Sequence, residues 1–210
     1  MTHSLHRLGP KELFAEDYVW LVYHVKGVND VDLEKKYRDI LDLARSLGSI
    51  SYGNIKVGNI FTTSHENLKK SVSEKSRIRG VFTSKQQVVE FLKAMKERDY
   101  GLSVIISGLI EEVLDAASKA SVKPHSIHLS LGVWGKKQLL PSEEILAVTT
   151  MCGHHMVSPR LVERMVEKIR RGEITPEKAA EELAKLCPCG IFNPRKASKI
   201  LQFLTEKTSK

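Results

Sequence analysis

The sequence predicts an α/β protein. A mostly parallel βαβ sheet domain is expected over residues 1–140, followed by a small C-terminal helical module over 141–210 that carries the cysteines. Three observations carry this expectation. Short runs rich in β-branched residues alternate with amphipathic stretches through the first 140 residues, the pattern of βαβ crossovers. Beyond residue 140 the strand-like runs stop, and three similar helix starts follow. All three cysteines, Cys152, Cys187 and Cys189, lie in this last part of the chain.

The first strand is "YVWLVYHVK" (18–26), an apolar and β-branched run that reads as buried. "DVDLEKKYRDILDLARSLG" follows as a helix, with Leu33, Tyr37, Ile40, Leu41 and Ala44 at helical spacing and Gly48 as its stop. "SISYGNIKVGNIFTT" reads as extended chain with a turn at Gly53-Asn54. Thr63 and Glu66 have the spacing of a capping box, which predicts a short helix to about residue 75. Then come a strand in "IRGVFTS", a helix in "KQQVVEFLKAMKERDYG", a strand in "LSVIISG" and a helix in "LIEEVLDAASKA". "HSIHLSLGVWG" (125–135) is expected as the closing strand, with Ser126, His128 and Ser130 alternating against Ile127, Leu129 and Leu131.

The helix starts of the second part are Ser158-Pro159, Thr175-Pro176 and Asn193-Pro194. Each sets a good N-cap side chain ahead of a proline, whose fixed φ and missing N–H suit the first helical position. Helices are expected near 159–171, 176–186 and 194–206.

Composition bounds the function classes. At 210 residues, with 41% hydrophobic and 28% charged side chains, the chain can bury a full core and is not of disordered type. No apolar run approaches the roughly twenty residues of a membrane span. The first residues carry charges where a signal peptide would be apolar, so a cytoplasmic location is expected. Thiols stay reduced there, and grouped cysteines point to metal or catalysis before disulfides. The net charge of +8 suits phosphate esters, acidic metabolites, acidic partners or nucleic acid. Nucleic acid is not favoured, because few aromatics accompany the basic run between Lys69 and Arg79.

The cysteine spacing is C-x34-C-x-C, with His154 and His155 just after the first cysteine. Both cysteine loops precede a capped helix, where unpaired N–H groups and positive partial charge favour thiolates. An antiparallel helix pair between the loops would bring Cys152 to Cys187 and Cys189. One expectation is a [4Fe–4S] cluster on these three thiolates, since glycine and proline beside the cysteines resemble iron–sulfur loops in general. His154 or His155 would then be a fourth ligand or an acid/base group beside an open iron. The alternative is zinc held by three cysteines and a histidine, against which the close C-x-C pair argues mildly. Thiol redox chemistry and simple burial of three small hydrophobes complete the alternatives.

Five further residues are candidates for binding a small anionic metabolite. Arg160 and Arg195 sit in the first turns of capped helices, Ser107 and Gly108 end a strand, and Trp134 could wall a pocket. The expected function is therefore an iron–sulfur protein with lyase or sulfur-transfer chemistry. The competing expectation is a zinc-stabilised, non-enzymatic binding protein for nucleic acid or an acidic partner.

Overall fold

A computed structural model describes residues 4–207. Five strands form one sheet: β1 (Tyr18–Tyr23), β2 (Ser51–Asn54), β3 (Gly58–Asn59), β4 (Ile78–Phe82) and β5 (Ser103–Ser107). Their spatial order is β3-β2-β4-β1-β5, and every neighbouring pair is antiparallel. The mostly parallel sheet expected from the alternation is therefore corrected to an antiparallel one.

The reason lies in what is inserted into each crossover. Helix α1 (Leu33–Ser46) joins β1 to β2, and α3 (Lys85–Arg98) joins β4 to β5. Each joined pair runs in one direction, but β4 lies between β1 and β2, and β1 between β4 and β5. This is the split βαβ arrangement of ferredoxin-like folds. A strand–helix–strand pattern in sequence reports the crossover and is blind to the strand inserted within it.

The sheet divides two apolar cores. Tyr18, Trp20, Val22, Tyr52, Ile78 and Phe82 pack on one side against α1, α2 (His65–Lys70), α3 and α4 (Ile110–Lys119). Trp20 lies between Phe82 and Phe91, with ring centroids 6.1 and 5.4 Å away, and its Nε1 donates to Ser49 Oγ at 3.0 Å. Gly80 makes room for it: a Cβ there would stand 2.7 Å from the indole and 2.5 Å from the Ser51 carbonyl oxygen.

On the other side, Val19 and Val81 meet the four C-terminal helices. These are α5 (Glu143–Thr149), α6 (Pro159–Arg170), α7 (Pro176–Lys185) and α8 (Pro194–Lys207). The last three begin at the expected prolines. Ser158 and Thr175 accept from the N–H groups of Leu161 and Lys178, and Asn193 Oδ1 accepts from Lys196 N–H at 2.9 Å. Helix α5, capped by Ser142, has glutamate where the other three have proline at the first helical position, and is not among the expected helices. The N-cap of α2 is Ser64, not Thr63, and it accepts from Asn67 N–H.

The expected strand over 125–135 does not form: the segment is irregular and exposed, with Ile127, Leu129 and Leu131 at 54%, 67% and 86% exposure. Alternation supplies a two-sided ribbon, but a strand also needs a partner's backbone. Among the described residues no backbone hydrogen bond joins this segment to the sheet. No helix among them is long and apolar enough to cross a membrane.

Candidate metal centre

The two cysteine loops are built by local turns. After α5, Cys152 N–H donates to the Thr149 carbonyl at 3.2 Å, and His155 N–H donates to the Cys152 carbonyl at 2.9 Å. His155 takes a left-handed φ of +56° to close this turn. After α7, Cys187 N–H donates to Ala184 at 3.0 Å, and Gly190 N–H donates back to Cys187 at 2.9 Å. Gly190 stands at φ +75° and lies directly on β2: a Cβ there would sit 2.2 Å from the Tyr52 carbonyl carbon and 2.4 Å from Gly53 N. Gly53 has the matching constraint, 2.8 Å from the Pro188 carbonyl oxygen. Gly190→Ala is therefore expected to cost on the order of 3 kcal/mol or more, since both the φ and the contact oppose a side chain. Chemical denaturation measures it, and an unchanged midpoint would mean that the loop does not depend on its seat on β2.

Two polar side chains fix the loops in place. Asn59 Nδ2 donates to the carbonyls of Ala184 and Cys187, both at 2.8 Å. Arg7 Nη2 donates to Met151 at 3.3 Å and also to Ile191, so one guanidinium grips both loops. Its Nη1 pairs with Asp17. Asp17 also receives Lys196 Nζ and Asn193 Nδ2, each at 3.1 Å. Lys196 Nζ lies 3.8 Å from the centre of the Phe14 ring. Burial, the largest influence on Lys196, lowers its pKa; Arg7 pushes the same way and Asp17 opposes.

The result is that Cys152, Cys187 and Cys189 converge, each 0% exposed. Cys187 Sγ lies 3.6 Å from Cys189 Sγ, and Cys189 Sγ lies 3.7 Å from Nδ1 of exposed His154. The three thiols share protons unequally. Donation from Cys187 is the largest influence on Cys152, which falls to about 6 against the opposing effect of burial, helped by the N–H groups of Met156 and His154. Donation from Cys187 also leads at Cys189, which falls to about 5, with help from Arg79, the Ile191 N–H and His154. Cys187 is correspondingly pushed up, as the thiol that holds the proton between two thiolates. Such a donor set suits a thiophilic cation. Among the described residues, no group of three or more ligating side chains already stands in coordinating geometry, so these four are neighbours and not a finished shell.

The other sequence candidates lie apart from this convergence. His155 is exposed, as is Arg160 at the start of α6. Arg195 is exposed and pairs with Glu16 at 3.5 Å. Ser107 bonds Ser4, Oγ to Oγ, at 2.8 Å; with Gly108 it lines two cavities of about 260 and 420 Å³, neither bordering a cysteine. Trp134 is 81% exposed, its Nε1 donating to Leu131.

Sequence reasoning missed Arg7, Asp17, Asn59 and the buried role of Arg79. Nothing local marks the first three. Lys196 did carry a signal: it shares a helical face with Ala197, Ile200 and Leu201, where a lysine needs a buried partner. Comparison with known family models, curated proteins and solved structures yields no match to this chain.

Proposed function

We propose that the chain is a binding protein for an acidic partner, whose C-terminal helices are stapled to the sheet by one zinc ion. Cys152, Cys187, Cys189 and His154 would be its ligands. The observation that carries this reading is the 3.6 Å separation of Cys187 and Cys189 Sγ. Two thiolates on one tetrahedral zinc, each about 2.3 Å from the metal, stand about 3.8 Å apart. A four-iron cube places its cysteine sulfurs on different irons, further apart than the edge of one ion's tetrahedron. Complete burial of the three thiols suits a closed structural site, where zinc contributes folding energy. The net charge of +8 supports an acidic partner.

A second reading is a three-cysteine [4Fe–4S] enzyme with lyase or sulfur-transfer chemistry on a small anionic metabolite. It is favoured by the exposure of His154, which leaves the histidine side of the site facing solvent.

Anaerobic purification followed by zinc, iron and sulfide analysis tests the proposal. A colourless protein with one zinc per chain and no iron is expected. Iron and sulfide with visible absorption would replace zinc by the second reading. Metal-free protein whose thiols resist alkylation until unfolding would overturn both.

A further inference from the structure

Two stretches of this chain are left uncovered, and each has what the other lacks. The first is β5, an edge strand paired to β1 alone, whose five residues are all half-buried. Its sequence, Ser-Val-Ile-Ile-Ser, has none of the charges or prolines that usually blunt an edge. It forms one wall of the groove of about 420 Å³, beside apolar Val113 and Leu114 of α4.

The second is the segment 125–140. Its first residues line the far side of the same groove, and among the described residues no backbone hydrogen bond joins them to β5. Ile127, Leu129 and Leu131 alternate with Ser126, His128 and Ser130, as in a strand with one apolar face. Their exposure rises from 54% to 67% and 86%, and Trp134 and Leu139 follow at 81% and 75%. With Leu140, these residues leave on the order of 800 Å² in water, about what each partner buries in a standard interface. Apolar exposure on this scale marks an interaction surface. Closure within one chain does not remove it. A five-residue edge pairs about five residues of an incoming strand, so laying 127–131 on their own β5 leaves Trp134, Leu139 and Leu140 in water.

Charge points to the occupant. No Asp, Glu, Lys or Arg lines the groove, but α4, which forms part of it, carries Glu111, Glu112 and Asp115. Lys85 engages the last two, at 2.8 and 2.7 Å. Glu111 is exposed, makes no ion pair among the described residues, and lines the adjoining cavity of about 260 Å³. A strand that is apolar along its middle and basic at its ends fits this setting. Residues 124–135 hold no acidic or basic side chain apart from two histidines, and exposed Lys123, Lys136 and Lys137 flank them.

We propose that two copies of the chain exchange this segment, residues 127–131 of each adding as a sixth strand to β5 of the other. Ile127, Leu129 and Leu131 of one copy then cover Val113 and Leu114 of the other, and the flanking lysines meet the carboxylates of its α4. The exchange is reciprocal, so the pair closes and neither copy keeps an open edge.

Dimer formation depends on neither the zinc nor an acidic partner, and the full chain tests it directly. Sedimentation is expected to give a dimer with a dissociation constant of about 1 μM or tighter. Leu131→Asp with Trp134→Ser, both on exposed side chains, should give a monomer of unchanged circular dichroism. Amide exchange across Ser103–Ser107 should be about tenfold or more faster in that monomer than in the wild-type dimer. Glu111→Lys should weaken the dimer by about tenfold, and adding Lys136→Glu and Lys137→Glu to it should restore the affinity. A wild-type monomer at high micromolar concentration would overturn the proposal, whether β5 exchanges fast or is already closed by its own segment. So would open-ended oligomers, or a dimer in which β5 exchanges as fast as in the variant.

Discussion

Asp17→Ala is expected to destabilise the protein by about 3–5 kcal/mol, the usual cost of removing one partner from a buried ion pair. Asp17 is fully buried and, among the described residues, is the single carboxylate in contact with both the Arg7 guanidinium and the Lys196 ammonium. Its loss leaves two cations in an apolar setting. Lys196→Met is expected to be close to neutral, because it removes the second cation and leaves the Arg7–Asp17 pair intact. Urea titration of both variants checks the asymmetry, and equal losses would contradict it.

The same carboxylate gives the chain an acid limit. Burial alone would raise the Asp17 pKa, but Arg7, Lys196 and the hydrogen bonds from Arg7 and Asn193 together hold it below its ordinary 3.8. A carboxylate lowered in the folded state stabilises fully above its unfolded pKa. That contribution is lost as pH falls through the lower folded value. Wild type should therefore lose stability below about pH 4 more steeply than Asp17→Asn does. Parallel acid profiles would remove Asp17 from the account.

The second large effect concerns the cysteines. On the proposed zinc site, Cys152→Ser is expected to abolish stoichiometric zinc and lower stability by about 5 kcal/mol or more, part of the roughly 10–16 kcal/mol seen for structural zinc in small domains. Helices α5–α8 should lose their tertiary packing first, because both cysteine loops lie among them. Chelation of wild-type protein should reproduce the loss, reported by metal analysis and near-UV dichroism. A variant that melts like wild type would show that Asn59 and Arg7 suffice to hold the loops.

What was legible in the sequence was what local chemistry decides. Ser158, Thr175 and Asn193 with their prolines mark helix starts because a cap needs only its own next turn. The meeting of Cys152 with Cys187 and Cys189 was legible because two helices of similar length return the chain to its starting end. The sheet order was not legible, since nothing in β1 or α1 records that β4 will slide between β1 and β2. The segment 125–135 misled for the same reason: His128 and its neighbours alternate correctly, but pairing depends on a distant edge. Arg79 read as the end of a basic run, and only the register that sets it opposite Leu21 and Gly53 turns it inward.

The grip of Arg7 on Ile191 spans 184 positions of the chain. Loops of that length close late and slowly, because their ends must find each other before any contact rewards them. During synthesis, the strands and helices up to α4 can pack while α5–α8 are still unmade, as domains generally form from the N-terminus. The face of the sheet bearing Val19 and Val81 then stays uncovered until the final helices emerge. Arg7 acts as the latch of that closing step, joining the segment ahead of β1 to the loop between α7 and α8.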